Sequence, residues 1–271
     1  MQNLFTAANI ALSLSFLFYA SWSDYRTREV SNRVWAIYAP IAFVLSLAGF
    51  LIYEPTRLPF FGLSFGVTAA IAILLFYTGG FGGADAKALM CIALALPFST
   101  QAFFMPLLPN GASPLAQALF PITVFSNAVL FAAFSCVYLL VYNIVWHKKT
   151  RRKIFEGTLD KESTIKKLTA LITGRRVSIS QLKAKWHVYP MEDFEVLDGE
   201  DLPKRKLVVV PKDEGRDEIV SRLEGAVETG KIDSYVWATP GLPMLIFVTA
   251  GLVAALTFGD IVWVVINMIL G

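Results

Sequence analysis

Charge is scarce in most of this 271-residue chain and crowded into one part of it. Of its 24 Lys+Arg and 21 Asp+Glu, only Arg26, Arg28, Arg33, Arg57, Lys87, Asp24, Glu29, Glu54, Asp85 and Asp260 lie outside residues 147–239. With 17% charged and 55% hydrophobic residues, the composition falls outside the soluble range and describes a membrane protein. Cysteine is nearly absent: Cys91 and Cys136 both fall in apolar runs and no Cys-x-x-Cys exists, which excludes a zinc ribbon and a disulfide framework. The two histidines, His147 and His187, have no spaced acidic or cysteine partners, so no metal site and no cofactor are expected. A net charge of +3, interspersed with acids, gives no nucleic-acid footprint.

What is abundant is apolar sequence in long runs. A membrane-spanning helix takes about 20 mostly apolar residues, and such runs occur at about 3–22, 34–53, 61–78, 86–105, 119–146 and 241–269. The fold class expected is therefore an α-helical polytopic membrane protein with six transmembrane helices and a small cytoplasmic α+β domain between helices five and six. The first run lacks a basic flank and a small-residue cleavage site, which reads as a retained span. Lys and Arg gather in the loop 23–33, after span three at Lys87, and in the run HKKTRRK after span five, while loop 99–118 carries no charge. An outside N-terminus satisfies this pattern and places 147–239 in the cytoplasm.

On that topology Asp24 closes span one and Asp85 opens span four, both at the cytoplasmic boundary. Each alone reads as an interfacial carboxylate, with Asp85 at a helix N-terminus where the dipole favours its charge. Two acids at one depth of a membrane protein call for a functional account. Close carboxylates do not both ionise easily, so one holds a proton while the other accepts one from water, and the pair can hydrolyse an amide without a metal. Asp85 follows the stretch GGFGGA, in which Gly79, Gly80, Gly82 and Gly83 permit a sharp bend and close approach of another chain. Residues Gly82, Gly83 and Ala84 are candidates to pair with an extended substrate. Gly80-Phe81-Gly82 does not continue into a dinucleotide fingerprint.

The stretches SDYRTREVSN and GGFGGADAKAL resemble the motifs of the type IV prepilin and prearchaellin peptidases, membrane aspartyl proteases of the Gly-x-Gly-Asp class. Asp24, Arg26, Arg28, Val30 and Asn32 match the first motif, and Asp85 with Lys87 matches the second. Ala84 stands where the class has Gly, a departure that points to the archaeal branch. The resemblance implies that Asp24 and Asp85 are catalytic. It also implies that the protein removes a short basic leader from archaellin or type IV pilin-like precursors, cutting at the junction with their hydrophobic helix. Lys87 and Arg26 are candidates for electrostatic support of the acids, although Lys87 reads in the first place as an anchor snorkelling to lipid headgroups. The chain has no Pro-Ala-Leu triplet, as presenilin-like relatives would.

In the block 147–239 the basic run reads as a flank in contact with membrane lipid. STIKKLTALI reads as a short helix stopped at Gly174. RRVSISQL, KWHVYPMEDFEVL and RKLVVVP read as strands, DEIVSRLEGAVETG as an amphipathic helix and SYVWATP as a last extended piece. The acids Glu192, Asp193, Glu195, Asp198, Glu200 and Asp201 read as a solvated face or as an attractor for a basic leader. Asp260 reads as an interfacial anchor, and Asn127 and Asn143 as interhelical hydrogen-bonding residues.

The domain reading is thus 1–146 with the catalytic acids, 147–239 as the cytoplasmic domain, and 240–271 as the last span. The competing reading, a small transporter or channel using the boundary acids for protons or cations, predicts internal repeats and midplane acids. Neither is visible in the sequence.

Overall fold

The computed structural model describes residues 2–99, 105–108, 110–195, 204–208 and 215–270. It separates into two compact units, Met1–Ala132 with Pro243–Gly271, and Ala133–Leu242. The chain opens with α1 (Gln2–Thr27), α2 (Asn32–Tyr53), α3 (Leu58–Tyr77) and α4 (Gly83–Ala95), followed by the short α5 (Pro114–Ala118) and the long α6 (Phe120–Thr150). In α3 the buried residues, Phe61, Ser64, Thr68 and Ala72, recur at helical spacing, while Phe60, Leu63, Ile73, Leu74 and Tyr77 are exposed. Apart from Phe61, small and hydroxyl side chains face in while large apolar ones face out, the reverse of a helix in water and the pattern of one in lipid.

The second unit holds α7 (Thr164–Thr173), β1 (Arg175–Ser178), α8 (Ile179–Ala184), β2 (Val188–Pro190), β3 (Glu192–Glu195), β4 (Lys204–Leu207), α9 (Arg216–Glu228) and β5 (Tyr235–Pro240). Strand β5 lies between β1 and β2, antiparallel to both, and β3 pairs antiparallel with β4. The apolar face of α9, Ile219, Val220, Leu223 and Ala226, packs on Val177, Leu182, Val188, Phe194 and Val236. Helices and small sheets share this unit, as the sequence suggests, but individual elements differ. RRVSISQL is extended only to Ser178, whose hydroxyl then accepts from the Gln181 N–H and starts α8. KWHVYPMEDFEVL yields two short strands, and the end of RKLVVVP lies outside the described residues.

Glu192 and Asp193 are fully buried and form no solvated face. Neighbours on a strand point to opposite sides, and each acid meets a different arginine. The Arg205 guanidinium donates to both Glu192 oxygens at 2.8 and 3.1 Å, and Arg222 donates to both Asp193 oxygens at 3.0 Å. Asp198, Glu200 and Asp201 lie outside the described residues. Asn143 serves this unit, donating to the Leu171 and Gly174 carbonyls where α7 turns into β1.

The chain returns to the first unit through α10 (Met244–Thr257) and α11 (Ile261–Leu270), which are bent by 67° at a break that includes Gly259, φ +83°. Asp260 is buried there and caps α11: it accepts from the Trp263 N–H at 3.0 Å and the Ser113 hydroxyl at 2.7 Å. It is not the interfacial anchor expected. Asn127 of α6 closes the same break, donating to the Gly259 carbonyl and accepting from the Ile261 N–H.

Four described helices are long and apolar enough to cross a membrane, Asn3–Thr27, Asn32–Tyr53, Pro55–Tyr77 and Phe120–Thr150, or five segments if the bent pair is one span. Among the described residues the expected count of six is not reached, and the fourth run, part of which lies outside the described residues, accounts for the difference. It yields only the 13 residues of α4, roughly 20 Å of helix against a hydrocarbon core of about 30 Å. The stop is Pro97, which disfavours helical backbone at the preceding residue; Leu96 has φ −134° and ψ 67°. In compensation α4 is central. It packs on α1, α2, α3 and α10, burying Ala86, Ala88, Leu89, Cys91, Ile92, Ala93 and Ala95.

Candidate active site

Asp24 lies in the last turn of α1, and the chain leaves that helix through a left-handed residue, Arg28 with φ +57°. The turn is tied down by the Arg28 N–H on the Asp24 carbonyl at 2.9 Å, and by the Ser23 and Thr27 hydroxyls on the Glu29 carbonyl at 2.8 and 3.0 Å. Ser31 then caps α2.

Asp85 is placed by the glycine turn. Gly79, φ +76°, ends α3: its N–H bonds to the Phe76 carbonyl and the Gly80 N–H to Leu75, the paired bonds of a Schellman stop. Phe81 is buried edge-on against Phe125, with ring centroids 5.4 Å apart. Gly82 is then the N-cap of α4, and its N–H donates to Asp85 Oδ2 at 3.0 Å. The carboxylate thus sits in the first turn, where the helix dipole favours negative charge. Gly79, Gly80 and Gly82 are exposed, and Gly83 and Ala84 are half-buried.

The two acids occur at one end of this unit. Helix α1 packs on α4, and Leu17, Ala20, Val30, Val34, Ala84 and Ala88 share one apolar cluster. Both carboxylates are half-buried, and the Asp24 charge bears on Asp85. Tyr19, Trp22 and Tyr25 on α1 and Tyr77 at the end of α3 are exposed, aromatic side chains of the kind that mark a lipid–water boundary.

Arg26 and Lys87, the candidate supporting cations, each have a partner of their own. Arg26 stacks over the Trp22 ring, 4.5 Å from its centroid. Lys87 donates to Asn32 Oδ1 at 2.7 Å. The Arg28 charge bears on Asp24, and among the described residues its buried Nε has no hydrogen-bond partner. No spacing rule could have paired Lys87 with Asn32, 55 positions apart. Among the described residues no three His, Cys, Asp or Glu side chains converge. A cavity of about 530 Å³ opens at the other end of the unit, lined by Asn3, Asn9, Gly49, Arg57 and Phe98 among others, and neither aspartate reaches it.

A model described as the type IV leader peptidase family matches residues 11–144, and one described as archaeal peptidase A24 C-terminus type II matches 166–261. The chain is 24% identical over 92% of its length to a preflagellin peptidase of Methanococcus voltae, covering 94% of that protein. It is 26% identical over 77% of its length to an uncharacterized protein of Methanocaldococcus jannaschii, of which it spans 60%.

Proposed function

Because the chain belongs to the type IV leader peptidase family, we propose that it is a membrane aspartyl endopeptidase that cuts the short basic leader from archaellin or type IV pilin-like precursors. The observation that carries this reading is the placement of Asp24 and Asp85 at one end of the first unit, on helices that pack together. One carboxylate takes a proton from a water molecule as that water attacks the scissile carbonyl. The other, protonated, first donates to the carbonyl oxygen, and the departing amine receives a proton as the tetrahedral intermediate collapses. The dyad titrates as a pair. The exposed glycine turn offers main-chain groups to an extended substrate segment beside Asp85.

The boundary position sets the substrate class. A leader followed by a hydrophobic helix presents its scissile bond at the lipid–water level, where the exposed aromatics of α1 lie. In this reading the acids and residues 147–239 face the cytoplasm and the N-terminus is outside.

The test is cleavage of a precursor by the purified protein in detergent or lipid. Asp24→Asn and Asp85→Asn should each remove nearly all activity while keeping the fold. Normal cleavage by either variant would sink the proposal and reopen the transporter reading.

A further inference from the structure

We propose that Lys87 and Asn32 form a latch that holds the two aspartate-bearing segments in register, so that Lys87 is a positioning residue and not a charge acting on Asp85. The inference rests on the peptidase reading above. Its geometry is independent of that reading.

Lys87 Nζ donates to Asn32 Oδ1 at 2.7 Å, a charge-assisted bond and so one of the stronger kind. Two residues along a helix is a rotation of roughly 200°, so Lys87 and Asp85 project from different sides of α4. The Asp85 carboxylate folds back onto the Gly82 N–H, and the Lys87 ammonium reaches instead to the first residue of α2.

The bond joins two stiff pieces. Asn32 begins α2 directly after the turn 28–31, which the Ser23 and Thr27 hydroxyls tie to the end of α1 through the Glu29 carbonyl. Fixing Asn32 therefore fixes the turn of α1 that carries Asp24. Lys87 and Asp85 share the first turns of α4, so fixing Lys87 fixes Asp85. The connection leading into α4 runs through exposed glycines, which offer no side chains to restrain it. Phe81 secures that connection toward Phe125, and Lys87 secures α4 toward α2. Small displacements of a catalytic pair are expensive, which gives the latch its function.

The experiment is a double-mutant cycle in the full-length protein, with Asn32→Ala, Lys87→Met and the two combined, and Lys87→Arg as the conservative control. Precursor cleavage is measured with amide hydrogen exchange over residues 28–33 and 79–86. The latch predicts a fall in kcat of about tenfold for each single variant, with the double variant no worse. The acid limb of the pH–rate profile should stay in place, Lys87→Arg should recover most activity, and exchange should rise in both segments whichever partner is removed. Additive losses, or a moved acid limb in Lys87→Met with Asn32→Ala silent, would overturn the latch and make Lys87 an electrostatic partner of Asp85. A wild-type protein that cuts no precursor refutes the peptidase reading alone. In that case the exchange data still decide the latch, since unlinked changes in the two segments refute it. If Asn32→Ala fails to fold, Asn32→Asp, which keeps the acceptor, should fold with exchange near wild type, and raised exchange in it counts against the latch.

Discussion

The Gly82 N–H donates to Asp85 Oδ2 at 3.0 Å, and a Cβ built on Gly82 would stand 3.0 Å from that same oxygen. A side chain at position 82 would thus press on the carboxylate, whereas the φ of −72° there suits any residue. Gly82→Ala should fold, because a carboxylate can rotate aside, yet it should displace the acid from its cap. Cleavage should fall by about tenfold with little change in KM, a loss equal to roughly one hydrogen bond to a charged group. An unimpaired Gly82→Ala enzyme would show that the cap does not position Asp85.

A two-carboxylate mechanism predicts its own inhibitor profile. On that mechanism cleavage should withstand chelators, because Asp24 or Asp85 would activate the water, and should withstand thiol reagents, because neither the buried Cys91 nor the half-buried Cys136 takes part in it. It should decline at alkaline pH as the last shared proton is lost and no acid remains to protonate the carbonyl oxygen or the departing amine. Loss of activity in EDTA, restored by a divalent ion, would redirect attention to a metal.

Which parts were legible in the sequence follows from what a side chain needs in order to be recognised. Asp24 and Asp85 stood out because a carboxylate among apolar runs is costly, and long apolar runs mark spans by length alone. The truncation of α4 was also written, in Pro97, but the apolar run continues past it and hides the stop. Glu192 and Asp193 read as solvated because charge ordinarily is. Their burial depends on Arg205 and Arg222, which arrive from other elements. Lys87 meeting Asn32 is likewise a product of tertiary packing, as is Asp260 folding under Ser113. Residues 166–261 match an archaeal family model, although the sequence there offers no short motif to read.

The break between α10 and α11 should be the least tolerant point of the first unit. Gly259 has φ +83°, and a Cβ there would overlap the Gly111 carbonyl. Left-handed backbone alone costs about 1–2 kcal/mol for a non-glycine residue, and overpacking against main chain adds about 1–3 kcal/mol. Gly259→Ala should therefore lower the thermal midpoint in detergent by several degrees. Gly66→Ala, where a Cβ meets nothing within 4 Å, should leave it unchanged.

Acid should loosen the second unit through Glu162. This carboxylate accepts from Lys166 Nζ at 3.0 Å and from the Leu207 N–H at 3.1 Å, joining the start of α7 to β4. Burial opposes its charge, but the Lys166 ammonium and the Leu207 and Ser163 N–H groups outweigh that and hold its pKa below the ordinary 4.5. A group depressed in the folded state contributes its stability above the unfolded pKa and loses it as pH falls through the folded value. Protease resistance of 147–239 in urea should thus fall as pH drops below about 5. Glu162→Gln should be weaker than wild type near neutral pH by about 1 kcal/mol, the scale of one hydrogen bond, and the two should converge in acid. Parallel curves for the two proteins across that range would show that Glu162 does not carry the acid sensitivity.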